Sequence, residues 1–114
     1  MSYTTAFLQN GATQLFTAAV TPPTALQVLP TFNATPGNRN QFRVVNNGAV
    51  TAFLGAGPTA AIAATNSAVV TDNGNAIPLV PGAVEVFTFP PTWYFTVSTA
   101  SSTATVYITP GEGL

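Results

Sequence analysis

Polar and apolar residues alternate with a period of two near the end of this chain. Over residues 103–109, Ala104, Val106 and Ile108 fall on one side, and Thr103, Thr105, Tyr107 and Thr109 on the other. A strand of this kind packs one face on a core and turns the other away. Residues 93–99 repeat the pattern, with Phe95 and Val97 opposite Thr96 and Ser98. Upstream, residues 83–89 form a third β-rich run, bounded by the turn Pro81-Gly82 and the breaker Pro90-Pro91. Residues 76–80 form a short run that Pro78 assigns to a sheet edge, because proline cannot donate to a ladder.

The first half divides in the same way. A strand is predicted over 13–20, between the Asn10-Gly11 turn and Pro22-Pro23. A short one follows over 26–29, and a loop over 31–40, where Asn33, Pro36, Gly37 and Asn38 cluster. Residues 41–46 and 49–54 flank Asn47-Gly48, which predicts a hairpin with a type I′ turn. Residues 60–71 are ambiguous. Their Ala-rich start suits a helical turn and their end, Ala68-Val69-Val70-Thr71, a strand; strand or extended loop is the expectation. Asp72-Asn73-Gly74-Asn75 reads as a turn. About eight short strands at close spacing predict an all-β fold. The expected form is an antiparallel sandwich, jelly-roll-like, with a seven-stranded immunoglobulin-like sandwich as the alternative. Residues 1–114 are read as one domain, with 1–12 as a candidate N-terminal arm.

Composition narrows the function more than the fold. The chain has two arginines, three acids, and no lysine, histidine or cysteine. A folded chain of this mass exposes roughly 6,000 Å², so each charge has about 1,200 Å² to itself. Nucleic-acid binding needs a basic patch, and two arginines do not make one. No apolar run has the length of a membrane span, and no basic amphipathic segment suits a membrane surface. The start, Met1-Ser2-Tyr3-Thr4-Thr5, lacks the basic and apolar regions of a signal peptide.

Catalysis needs a group that holds or moves a proton, a metal or an activated nucleophile. Asp72, Glu85 and Glu112 are the only acids, and their positions imply no pair. The expectation is a non-enzyme with no cofactor, and no residue is assigned a catalytic, cofactor-binding or metal-ligating role. The turn at Asp72 offers one carboxylate, too little for calcium. Asn33-Ala34-Thr35 fits the glycosylation acceptor pattern and reads as coincidence, with Pro36 directly after it.

Candidate interface residues remain. Arg43 and Glu85 sit inside predicted strands. They either face solvent and discourage edge pairing, or pair across an interface or between neighbouring strands. Trp93, Tyr94 and Tyr107 form a sugar or protein platform if their strands pair, or packing groups otherwise, with Trp93 plugging the end of the sandwich. Phe7 and Leu8 anchor an arm on a neighbour or complete the domain's own core.

One resemblance rests on Ile77-Pro78-Leu79-Val80-Pro81-Gly82-Ala83-Val84-Glu85-Val86-Phe87-Thr88-Phe89 running into Trp93-Tyr94-Phe95. The closing strand with its glycine-rich end at Gly111 and Gly113, and the hairpin from Phe42 to Gly48, belong to it too. These stretches resemble the small all-β virion proteins of tailed bacteriophages, several of which are capsid cement or decoration proteins. The resemblance implies a jelly-roll-like structural protein, made in the host cytoplasm and located on the capsid surface. Its implied partners are the major capsid protein and copies of itself, as a dimer or trimer. A tail or head-fibre component with a receptor- or carbohydrate-binding role is the alternative. No residue role carries over from the family.

Overall fold

A computed structural model describes residues 7–31 and 40–112. Arg39, Asn33, most of the expected 31–40 loop and the first six residues of the candidate arm lie outside that range. Among the described residues there are nine strands and one short helix. They are β1 (Leu8–Gln9), β2 (Gln14–Ala18), β3 (Leu26–Gln27), β4 (Gln41–Asn46), β5 (Ala52–Gly57), α1 (Ala60–Asn66), β6 (Ile77–Leu79), β7 (Val84–Thr88), β8 (Tyr94–Thr99) and β9 (Ala104–Glu112).

The strands form two antiparallel sheets. In one, β9 lies beside β4, β4 beside β7, and β1 and β2 share the other edge of β9. The second sheet runs β3-β8-β5-β6. The pairing is nested: β2 with β9, β3 with β8, β4 with β7, and β5 with β6. Each pair encloses the next, as if one long ribbon of paired strands were wrapped into a sandwich. This is the strand order of a jelly roll. Proline takes the edge expected of it, since β6 with Pro78 is the last strand of its sheet.

The core lies between the sheets. Phe16, Phe42, Val44, Val106 and Ile108 enter from one side, and Leu54, Leu79, Phe95 and Val97 from the other. Alternation therefore chose the inner residues of β9 correctly. At one end Phe42 meets Phe95 with centroids 4.8 Å apart, and Phe89 lies against both.

Three local expectations give way. The first is the Asn47-Gly48 hairpin. β4 and β5 lie in different sheets, so the chain crosses the sandwich here. A type I′ turn needs positive φ at both central residues. Among the described residues only Ser102 and Gly82 have it. Three constraints redirect the chain. The Asn46 side chain, fully buried, donates to Val50 O (3.0 Å) and Leu79 O (2.8 Å) and accepts from Gly48 N (2.9 Å). The Asn47 amide donates to Thr105 O at 2.8 Å. Gly48 lies so close to Ala104 that a Cβ would come within 2.6 Å of it.

The second is the segment 60–71. It begins as α1, with Thr59 capping through its hydroxyl, which accepts from Ile62 N at 3.2 Å. Alanine propensity prevails here because β5 offers the helix a bed of Gly55 and Gly57; a Cβ on either would strike the helix. Ala68–Thr71 forms no strand. The third is the glycine-rich end. Residues 110–112 continue β9, because β1 and β4 supply pairing partners on both sides.

The two outer faces differ. The helix covers the β5–β8 face, so Thr96 and Ser98 are buried although alternation turns them away from the core. Their hydroxyls donate to Pro23 O (2.6 Å) and Ser67 O. Among the described residues, no helix lies on the outer face of the β2-β9-β4-β7 sheet.

Candidate functional site: the outer face of the β2-β9-β4-β7 sheet

Directly opposed residues in antiparallel strands share a face. The register therefore writes out in rows the face that no described helix covers. Leu15, Tyr107, Val45 and Val84 lie side by side across all four strands. Leu15 is 54% exposed and Val84 51%, and Tyr107 and Val45 are half-buried. On one flank Thr17 pairs with Thr105. On the other flank Thr109, Arg43 and Val86 form a row. Beyond it Gln9, Gly111, Gln41 and Thr88 form another, in which Gly111 and Gln41 are buried. The face is thus an apolar stripe between hydroxyl-bearing rows, with one cation beside it.

Arg43 lines a cleft of about 350 Å³ together with Phe7, Gln9, Thr13 and Thr109. Its side chain is exposed and has no partner among the described residues. The Thr13 and Thr109 hydroxyls share a hydrogen bond of 2.7 Å, and the Gln9 amide donates to Gly11 O at 2.7 Å. Phe7 walls the cleft because Gly111, lacking a side chain, leaves room for the ring.

The structure separates several sequence-selected residues. Glu85 is opposite Val44 and so belongs to the inner face, exposed because β7 is an edge strand. Arg43 is opposite Val86 on the outer face, so Arg43 and Glu85 do not meet. An inward charge on an edge strand discourages sheet extension. Tyr94 and Tyr107 sit on strands of different sheets and form no joint platform. Trp93 stacks on Phe89, 5.8 Å apart at 27°, and extends the aromatic cluster from the core to the end of the sandwich. Phe7 and Leu8 lie against the same chain: Leu8 pairs with Glu112 in β1, and is 58% exposed.

Leu15, Val45, Val84, Thr13 and Thr109 are absent from the sequence-selected interface set. Alternation marks Tyr107 as outward, but only cross-strand register reveals that Leu15, Val45 and Val84 lie in one row with it. No protein-family model matches the chain, and no curated protein and no solved structure matches it.

Proposed function

We propose that this chain is a structural virion protein of the capsid cement or decoration type, a homo-oligomer acting through the outer face of the β2-β9-β4-β7 sheet. The observation that supports this best is the exposed row Leu15-Tyr107-Val45-Val84. The two rows led by Leu15 and Thr17 span about 19 by 14 Å, or on the order of 270 Å² in projection. A standard contact takes about 800 Å² of accessible surface from each partner. The exposed rows are thus on the order of a third of a standard contact, and the sheet edges and Arg43 add to them. Low charge favours docking, because few ions need desolvation, and the flanking threonines hydrogen-bond without that cost. The rigid jelly roll suits a surface clamp, since no moving part is needed.

The test is to mix the full chain with purified shells lacking it and to locate it by cryo-electron microscopy. The reading expects density at repeated surface positions with the sheet face against the shell, and loss of co-sedimentation in Val45→Asp. A strictly monomeric chain by light scattering, with no affinity for shells, refutes it. Gold labelling on the tail refutes the head assignment.

A further inference from the structure

The cleft over Arg43 is rich in donors. The guanidinium has five N–H groups and accepts nothing. In the Thr13–Thr109 pair one hydroxyl donates to the other, so the second keeps a proton to offer. The Gln9 amide nitrogen is already engaged by Gly11 O. Its acceptors, Gln9 Oε1 and the hydroxyl oxygens, are neutral; what the cleft lacks among the described residues is a negative charge for Arg43, and an ionised carboxylate is acceptor-only. The guanidinium fork matches a carboxylate in two parallel hydrogen bonds. Phe7 gives the cleft one apolar wall. One cation balances one negative charge, which suits a carboxylate better than a doubly charged phosphate.

The cleft is continuous with the apolar row, since Val45 follows Arg43 on the same face of β4 and Tyr107 precedes Thr109 on β9. We infer that the cleft is a socket for a single carboxylate, that of an Asp or Glu side chain projecting from the apolar surface of another protein. Naming the bearer rests on the docking reading above; the chemistry of the socket does not. A second copy fits less well. Arg43 is the one charged side chain on this face among the described residues, so a face-to-face twofold brings two guanidiniums together with no carboxylate.

The experiment has two arms. In the first, the isotope-labelled full chain is titrated with sodium propionate, and with chloride and inorganic phosphate at matched ionic strength. Saturable shifts at Arg43 Nε–Hε, Gln9 and Thr109 with propionate are expected. Arg43→Gln abolishes them, and Arg43→Lys, which keeps the charge without the fork, weakens binding at least threefold. Equal shifts with chloride or phosphate, or shifts that survive Arg43→Gln, overturn the socket. In the second arm, Arg43→Gln and Val45→Asp are compared for co-sedimentation with shells. A tenfold loss in both supports the inference. A loss in Val45→Asp alone overturns the socket's docking role while leaving the docking face intact. Propionate that splits an oligomer in light scattering assigns the carboxylate to a second copy and overturns the partner.

Discussion

Replacing Asn46 by leucine removes three hydrogen bonds at the crossover from β4 to β5 while nearly conserving volume. The bond to Leu79 O, at 2.8 Å, is buried; those with Val50 O and Gly48 N are partly open to water. An unsatisfied buried carbonyl costs about 1–3 kcal/mol, and each partly exposed bond contributes about 0.5–1 kcal/mol. The expected loss is therefore about 3 kcal/mol, which lowers Tm by roughly 12 °C for a domain of this size. Urea unfolding followed by the fluorescence of Trp93, the sole tryptophan, gives the value directly. A loss under about 0.5 kcal/mol with unchanged m refutes the claim that Asn46 holds the crossover, because it falls below the cost of one such bond. Asn46→Asp adds a sign test. Burial against two carbonyls raises the introduced carboxyl's pKa above its unfolded value. The folded state then keeps the proton longer, so stability is retained at acid pH and falls as pH rises through the folded pKa. The penalty relative to wild type is expected to be larger at pH 7 than at pH 4; equal penalties refute the proposed contacts.

Gly55→Ala forces a methyl into the backbone of α1 at Ala63 and Ser67, with an expected loss of about 2 kcal/mol or more in urea unfolding. Gly82 has φ of 82° and nothing within 4 Å of an added Cβ. Gly82→Ala therefore costs only backbone strain, about 1 kcal/mol, and Gly82→Asn less, by the same measurement. Val45→Asp, on the outer face, is expected to leave Tm within about 5 °C of wild type, since it alters surface and not core; a larger drop means the docking test reads unfolding instead of contact.

Strand positions were legible in the sequence because alternation and proline or glycine breaks are local properties. That is why β9, β8, β7 and the edge role of Pro78 were read correctly. Asn47-Gly48 misled because its turn preference is weak beside the contacts of Asn46 with Leu79, 33 residues away. The 60–71 segment misled because helix and strand propensities were close, and the glycine bed on β5 is visible only when the two segments meet. The polar faces of β8 looked solvent-facing until α1 and Pro23 covered them. The candidate site shows the same division. Alternation alone turns Tyr107 outward. Bringing Leu15, Tyr107, Val45 and Val84 into one row, and Arg43 into a cleft with Phe7 and Thr13, took pairing between distant segments. Local pattern and composition suffice for an all-β chain with few charges, and leave jelly roll and immunoglobulin-like sandwich open. The nested pairing, and through it which outer face α1 covers, came only with the tertiary structure, because register is a relation between strands and no single strand carries it.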